Sequence, residues 1–204
     1  MNLPLKINEL KKSEISKTIF KRIKEFESVK KENLFSELSF CILTANFNAE
    51  KCIQIQNKIG KDFSILSQKE LASELKKLGH RFPNTRANYI SEAKNFQEFL
   101  FGLSNDGKAE REKLVKNFKG IGTKEASHFL RNIGFKDVAI IDFHIIDLLN
   151  RERLIKFDRK KQALNKKIYL EIENILEKLA KKVNLSLAEL DLYLWYLETG
   201  KVLK

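Results

Sequence analysis

The sequence has few cysteines, prolines and glycines, and it lacks a long apolar run. Of its 204 residues, 2 are cysteine, 2 are proline and 8 are glycine. Tight turns draw on proline and glycine, so this scarcity argues against an all-β fold of many strands. No stretch approaches the roughly 18 apolar residues of a membrane-spanning helix, and residues 1–15 lack the apolar core of a signal peptide. We therefore expect a soluble, cytoplasmic protein without a membrane partner.

The two cysteines also limit the metal chemistry that the chain can carry. Cys41 and Cys52 are eleven positions apart, and no further cysteine follows them. Two thiols exclude a four-cysteine iron–sulfur cluster and the usual zinc knuckles. The three histidines show no metal-ligand spacing either. We expect no catalytic metal and interpret both cysteines as reduced thiols, with Cys41 in a core.

Positive charge is the main excess in the composition. The chain is 43% hydrophobic and 32% charged, which is typical of a globular protein. Lysine and arginine number 39 against 27 acidic residues, for a net charge of +12. Such an excess favours a polyanionic partner, most often nucleic acid. Charge alone does not decide this, because lysine-rich chains also carry many solvated lysines.

Apolar residues recur at helical spacing through most of the chain, and only residues 138–141 (VAII) look extended. The pattern predicts an all-α fold that forms one compact unit with two helical lobes. One lobe spans 30–135, and the other combines 1–29 with 136–204. The predicted helices are 7–29, 34–45, 48–59, 68–78, 84–100, 109–118, 123–133, 142–151, 167–183 and 187–198.

Residues 109–134 read as two helices joined by a glycine-containing hairpin, KGIGTKEASHFL at its centre. Glycine is favoured where φ is positive or where the backbone approaches another group closely. The amides of the turn at Gly120 and Gly122, with the positive end of the next helix, would suit a DNA backbone phosphate. An ordinary turn between two helices is the alternative reading of these residues.

Two residues near the hairpin are candidates for catalysis. Lys124 lies in the first turn of its helix, where the helix dipole disfavours a cation, and a neutral amine is a nucleophile. Asp142 follows the extended segment and would return to the same region. Each also has a simpler interpretation, because most lysines are solvated and an aspartate before a helix is a good N-cap.

Taken together, GIGTK, the helix after it and the apolar run ending in DFHI resemble the helix–hairpin–helix DNA glycosylase superfamily. The absence of later cysteines and the helical start argue against its cluster-containing and β-domain branches. The chain is most similar to the archaeal-type 8-oxoguanine DNA glycosylase/AP lyases, the second 8-oxoguanine family. The resemblance also covers CILTANFNAEKC, RFPNTRANYI and the final LDLYLWYLETGKVLK.

This resemblance implies a two-lobed helix–hairpin–helix glycosylase fold and a bifunctional DNA repair enzyme. Lys124 would attack C1′ of the damaged nucleotide with help from Asp142, and β-elimination would then cut the strand. Lys204 would place a terminal carboxylate in the base pocket, with Trp195 and Phe82 as aromatic walls. The implied partner is double-stranded DNA containing 8-oxoguanine. The protein itself is expected to be a nucleoid-associated monomer. No cofactor is expected, apart from a monovalent cation at the hairpin.

Two other functions fit the same residues. A glycosylase of this fold could act on another damaged base, such as an oxidised pyrimidine, through a different base pocket. A non-catalytic helix–hairpin–helix DNA-binding module would need Gly120, Gly122 and the positive charge, but neither Lys124 nor Asp142. A cleft of nucleobase size that contains both of these residues would distinguish an enzyme from the binding module.

Overall fold

The structure, a computed structural model, describes residues 2–204. Within that range the chain forms eleven α-helices and three 3₁₀ segments and contains no β-strand, which confirms the predicted all-α class. The α-helices are α1 Leu3–Lys11, α2 Ile15–Glu27, α3 Leu34–Thr44, α4 Ala49–Ile59, α5 Gln68–Lys77, α6 Pro83–Ala93, α7 Gly107–Asn117, α8 Thr123–Asn132, α9 Phe143–Arg151, α10 Lys166–Lys182 and α11 Leu187–Thr199. The 3₁₀ segments are Lys31–Asn33, Gly60–Ser64 and Lys94–Gly102.

The prediction of one long helix over 7–29 is wrong, because two helices, α1 and α2, occupy this region. The chain turns between them, where the Ser13 hydroxyl and amide both donate to the carbonyl of Leu10, at 2.8 and 3.1 Å. Local bonds of this kind compete with helix continuation. The break lets both helices pack against α11, with Ile7 fully buried on α1 and Ile19 on α2.

The predicted helix over 84–100 is also only partly correct. α6 ends at Ala93, and the chain continues as a 3₁₀ segment with a non-helical backbone at Phe96. This change of winding brings the rings of Phe96 and Phe99 within 6.0 and 5.9 Å of the ring of Phe118. Edge-to-face packing on Phe118 therefore fixes the end of α7, just before the hairpin.

The core consists of two clusters of buried apolar residues. One draws on residues between Leu3 and Phe26 and between Ala139 and Leu194, so both ends of the chain contribute to it. The other draws on residues between Leu34 and Val138, including Cys41 and Cys52 as free, buried thiols. None of the helices in residues 2–204 has the length and apolar character needed to cross a membrane.

Candidate active site

A cleft of about 820 Å³ lies between the two clusters, a volume within the usual range for ligand sites. Its walls come from α4, α8, residues 140–145, α11 and residues 201–204. Four of the predicted site residues line it, namely Lys124, Asp142, Trp195 and Lys204. Phe82 is not among the lining residues, although its neighbour Arg81 is. The structure thus brings together residues that are 80 positions apart in the sequence.

The hairpin joins α7 to α8 next to this cleft, and it requires a glycine at position 120. Gly120 has a φ of +82°, and a Cβ there would lie 2.2 Å from Cδ2 of Tyr89. Ile121 is buried and pins the turn to the core below it. Gly122 has an ordinary φ of −93° and caps α8, so its backbone conformation does not itself demand glycine.

Glu125 links the hairpin to Lys124, and the sequence analysis missed it. Its Oε2 accepts a hydrogen bond from the Gly122 amide at 3.3 Å, while its Oε1 lies 3.0 Å from the Nζ of Lys124. The carboxylate is mostly buried, and 27% of the Lys124 side chain is exposed. The lysine head is thus held at the cleft beside the turn. The available signal was a glutamate three residues after the helix cap.

Asp142 is the N-cap of α9, as its position before the helix predicted. Its Oδ1 accepts a hydrogen bond from the amide of Ile145 at 2.9 Å. The positive end of a helix stabilises a carboxylate at this position. Asp142 also lines the cleft with Lys124, so the capping role and a role in the cleft coexist in one side chain.

A second carboxyl group, Asp191, lines the cleft from α11 and was also missed. It lies 3.3 Å from Nη2 of Arg131 on α8, and both side chains are almost completely buried. The pKa of Asp191 is raised to about 6, because burial outweighs the opposing charge of Arg131 and the nearby charge of Asp142 adds to the rise. A lone aspartate within the otherwise apolar LDLYLW run of α11 was the available signal.

Residues 201–204 cross from one cluster to the other and form part of the cleft wall. Gly200 closes α11 with a φ of +69° and redirects the chain. Lys201 then pairs with Glu50 of α4 at 2.6 Å, and Lys204 pairs with Glu37 of α3 at 2.5 Å. These two ion pairs hold the segment against the opposite side of the cleft.

Glu37 is the buried anchor for Lys204. Besides the lysine, it accepts hydrogen bonds from the side-chain amides of Gln56 at 2.9 Å and Asn132 at 3.2 Å. The ammonium of Lys204 also lies 4.7 Å from the centre of the Phe40 ring. Periodicity could not reveal this role, because it places Glu37 within an otherwise apolar helix without indicating a partner.

The aromatic wall of the cleft is formed by Trp195 of α11. Its ring packs edge-on against His144 at 5.1 Å, and its Nε1 finds no hydrogen-bond partner within residues 2–204. His128 lines the cleft nearby, and burial lowers its pKa well below the usual value. An aromatic ring and a neutral imidazole in the lining of one cleft suit a heterocyclic base.

The described residues 2–204 contain no group of three or more histidine, cysteine or acidic side chains that could hold a metal ion. At the hairpin, by contrast, the carbonyls of Lys119 and Gly120 accept none of the backbone hydrogen bonds formed in turns and caps of that range. Carbonyl oxygens of this kind are hard ligands, which suit hard cations.

A hairpin between two helices, next to a cleft with a lysine and an aspartate, defines the chain as a helix–hairpin–helix protein with an enzyme-like site. Sequence comparison gives the family. The family model of 8-oxoguanine DNA glycosylase matches residues 19–185, and the chain belongs to this family. The chain is 54% identical to the 8-oxoguanine DNA glycosylase/AP lyase of Methanocaldococcus jannaschii, over all of both chains. It is 48% identical to that of Korarchaeum cryptofilum, over 97% of this chain and 96% of the other.

Solved structures agree with this assignment. The M. jannaschii 8-oxoguanine glycosylase/lyase, in complex with a 15mer DNA containing 8-oxoguanine, superposes with a TM-score of 0.93. It is 51% identical, and the match covers 99% of each chain. The 8-oxoguanine DNA glycosylase of Thermotoga maritima gives a TM-score of 0.89 at 43% identity, over 99% of this chain and 98% of that one. The predicted fold and family are therefore confirmed.

Proposed function

We propose that this protein excises 8-oxoguanine from double-stranded DNA and then cuts the strand as an AP lyase. The observation that carries the proposal is the meeting of Lys124 and Asp142 in one cleft beside the hairpin. A binding module of the same fold would need the hairpin alone. The membership of the chain in the 8-oxoguanine DNA glycosylase family supports the choice of base.

The hairpin would hold the DNA backbone. The amide of Gly120 and the start of α8 would bind a backbone phosphate, and the amide of Gly122 would do so in exchange for its long hydrogen bond to Glu125. A contact of this kind is independent of sequence. The net charge of +12 would add attraction to DNA over a longer range. The carbonyls of Lys119 and Gly120 would hold a monovalent cation between the protein and the phosphate.

The cleft would bind the damaged nucleotide after this nucleotide has flipped out of the DNA double helix. Trp195 would stack on the flipped base. Phe82, which lies just outside the cleft lining, would contact the base at the entrance of the cleft. Lys204 would offer its terminal carboxylate to N1–H and the N2 amino group of the base. Bases without these donors would leave the carboxylate unpaired, and this costs binding energy. One chain supplies the whole cleft, which is consistent with a monomer working at the nucleoid.

The chemistry follows from the two central residues. The amine of Lys124 gives up its proton and attacks C1′ while the glycosidic bond breaks, and the base leaves with the bonding electrons and takes up a proton. Asp142 stabilises the positive charge that develops on the sugar. The sugar ring then opens at the C1′–O4′ bond, O4′ takes up a proton, and the bond between Lys124 and C1′ becomes a Schiff base. Loss of a C2′ proton expels the 3′ phosphate, which completes β-elimination.

Borohydride trapping tests this proposal. The protein is incubated with a labelled duplex carrying one 8-oxoguanine opposite cytosine, reduced, and run on a denaturing gel beside Lys124→Gln. We expect a covalent protein–DNA band with the wild type and none with the variant, because glutamine cannot form a Schiff base. Binding of both proteins to an uncleavable abasic-site duplex, measured by fluorescence anisotropy, shows that the variant is intact.

Other results would redirect the proposal. A band with an oxidised pyrimidine but not with 8-oxoguanine would keep the chemistry and change the substrate. DNA binding without a band for any damaged base would leave a helix–hairpin–helix binding module.

A further inference from the structure

A buried polar network connects the hairpin helices with the segment that leads into Asp142. Its members are Arg111 on α7, Ser127 on α8, and Tyr169 and Glu173 on α10. Each of the four is at most 2% exposed. The network lies outside the cleft lining, so it cannot touch a bound base.

Glu173 ties α7 to the segment. Its two oxygens accept hydrogen bonds from Nη1 and Nη2 of Arg111, at 2.6 and 2.8 Å. Oε1 also accepts a hydrogen bond from the amide of Ala139 at 2.9 Å. The carboxylate of Glu173 therefore connects α7, the first helix of the hairpin motif, to Ala139, which lies three residues before Asp142.

Tyr169 ties α8 to the same segment through a single hydroxyl group. It donates to the carbonyl of Ala139 at 2.7 Å and accepts from the amide of Ile141 at 3.2 Å. Its oxygen also lies 3.3 Å from Oγ of Ser127. Burial raises the pKa of Tyr169, so the hydroxyl keeps the proton that it donates.

The two ends of this link are the two central residues of the site. Ser127 follows Lys124 by three positions on α8, which places both on one side of the helix, one turn apart. Ile141 directly precedes Asp142, which caps α9. The Tyr169 hydroxyl is thus a direct connection between the helix that carries the nucleophile and the strand-like segment that ends in the carboxylate.

A buried polar network of this kind adds little net stability over apolar side chains of the same volume, because the charged groups must lose their water. It does fix distances, because hydrogen bonds are directional and apolar contacts are not. We propose that Tyr169 is a positioning residue whose hydroxyl sets the spacing between Lys124 and Asp142. This inference rests on the proposed function, in which these two residues act on the same sugar.

Tyr169→Phe tests the inference, because it removes the hydroxyl and keeps the ring. The matched control is Tyr193→Phe on α11, where the tyrosine is 5% exposed, outside the cleft lining, and its hydroxyl makes no hydrogen bond within residues 2–204. We would measure single-turnover release of 8-oxoguanine with enzyme in excess, at a temperature where denaturation curves show every protein folded. Binding to the uncleavable abasic-site duplex gives the affinity.

We expect Tyr169→Phe to release the base on the order of 10- to 100-fold more slowly, with unchanged affinity, because a small displacement of reacting groups affects the chemical step. Tyr193→Phe should match the wild type in both. An unchanged rate in Tyr169→Phe, or an equal loss of rate and affinity, would overturn the inference. Absence of product with the wild type would instead reject the proposed function, and the inference with it.

Ser127→Ala provides a second test at the other end of the link. The variant Ser127→Ala should lower the same rate, and the double variant with Tyr169→Phe should be no slower than the slower single variant. Both changes cut the connection between Tyr169 and Ser127, so the part of each rate loss that comes from this connection should not be counted twice in the double variant. Ser127→Ala also removes a 3.3 Å hydrogen bond from Nη1 of Arg111, which stays within the same network. If the rate of the double variant falls by the product of the two single losses, the two changes act independently. That result would contradict the positioning role.

Discussion

Gly120 and Gly122 lie two residues apart, but the hairpin requires the conformational freedom of glycine only at position 120. Alanine at 120 would need a φ of +82°, and its Cβ would meet the ring of Tyr89. Alanine at 122 would meet only the carboxylate of Glu125, at 3.0 Å, at the end of a flexible side chain. The fold therefore requires glycine at position 120, whereas it tolerates alanine at position 122.

We expect Gly120→Ala to lower the free energy of unfolding by at least about 1–2 kcal/mol, since a left-handed backbone conformation is strained for alanine. Gly122→Ala should change it by less than about 0.5 kcal/mol, as is usual for exposed positions. Urea denaturation measures both values, and anisotropy with an abasic-site duplex measures DNA affinity. If the amide at 122 approaches a phosphate, Gly122→Ala weakens binding without unfolding the protein. Equal destabilisation by the two variants would contradict this division.

At the level of single residues, the sequence identified the two central residues of the site, because a motif marks each position. Lys124 and Asp142 were identified from GIGTK and from the apolar run before a helix, and both line the cleft. Glu37 and Asp191 were not identified, because their partners lie 167 and 60 positions away. Pairing over such distances depends on how helices pack, and a one-dimensional pattern does not contain that information.

At the level of elements, α9 begins at a residue with two roles that can be separated. Asp142 caps the helix through the amide of Ile145 and also faces the cleft. Asparagine caps a helix about as well as aspartate but carries no charge. The cap and the proposed electrostatic role therefore respond differently to Asp142→Asn.

We expect Asp142→Asn to retain wild-type stability while base release slows by on the order of 100-fold or more. Asp142→Ala should slow base release similarly and also lose about 1 kcal/mol of stability with the cap. Thermal denaturation and single-turnover base release measure the two effects. A stable Asp142→Asn variant with normal activity would leave Asp142 as a cap alone.

Helix ends were easier to predict than helix interruptions. The last helix was expected over 187–198, and α11 spans Leu187–Thr199 with Ser186 and Gly200 as its caps. The turn at residues 12–14 and the 3₁₀ winding after Ala93 were missed, because apolar spacing continues across both of them. Both interruptions serve tertiary packing, because α1 and α2 both pack on α11 and two phenylalanine rings pack on Phe118. The first is also stabilised locally by the bonds of Ser13 to Leu10.

At the level of the whole molecule, the ion pair of Arg131 with Asp191 crosses the boundary between the two clusters. Arg131 is on α8, among the residues of one cluster, and Asp191 is on α11, among those of the other. Because burial raises the pKa of Asp191 in the folded protein to about 6, from an ordinary value of 3.8, folding favours its protonated form. The folded state then binds more protons at Asp191 than the unfolded chain does between these two values.

The sign of the pH dependence follows from this difference. The contribution of Asp191 to stability is complete below about pH 4 and is lost as the pH rises through 6. Across that window it amounts to roughly 3 kcal/mol, from a shift of about two pH units. Buried His128 acts in the opposite direction, since its lowered pKa costs stability as the pH falls below its unfolded value. The pH dependence of the wild-type stability therefore combines both effects. A comparison with Asp191→Asn isolates the contribution of Asp191.

We expect the wild type to gain stability relative to Asp191→Asn as the pH falls from 6 to 4, by up to roughly 3 kcal/mol. Urea denaturation of both proteins at several pH values measures the difference, in which His128 and the other titrating groups cancel. A difference that stays constant with pH would mean that Asp191 titrates alike in the folded and unfolded states. A difference that changes in the opposite direction would mean that Arg131 outweighs burial and keeps the carboxylate charged where the two clusters meet.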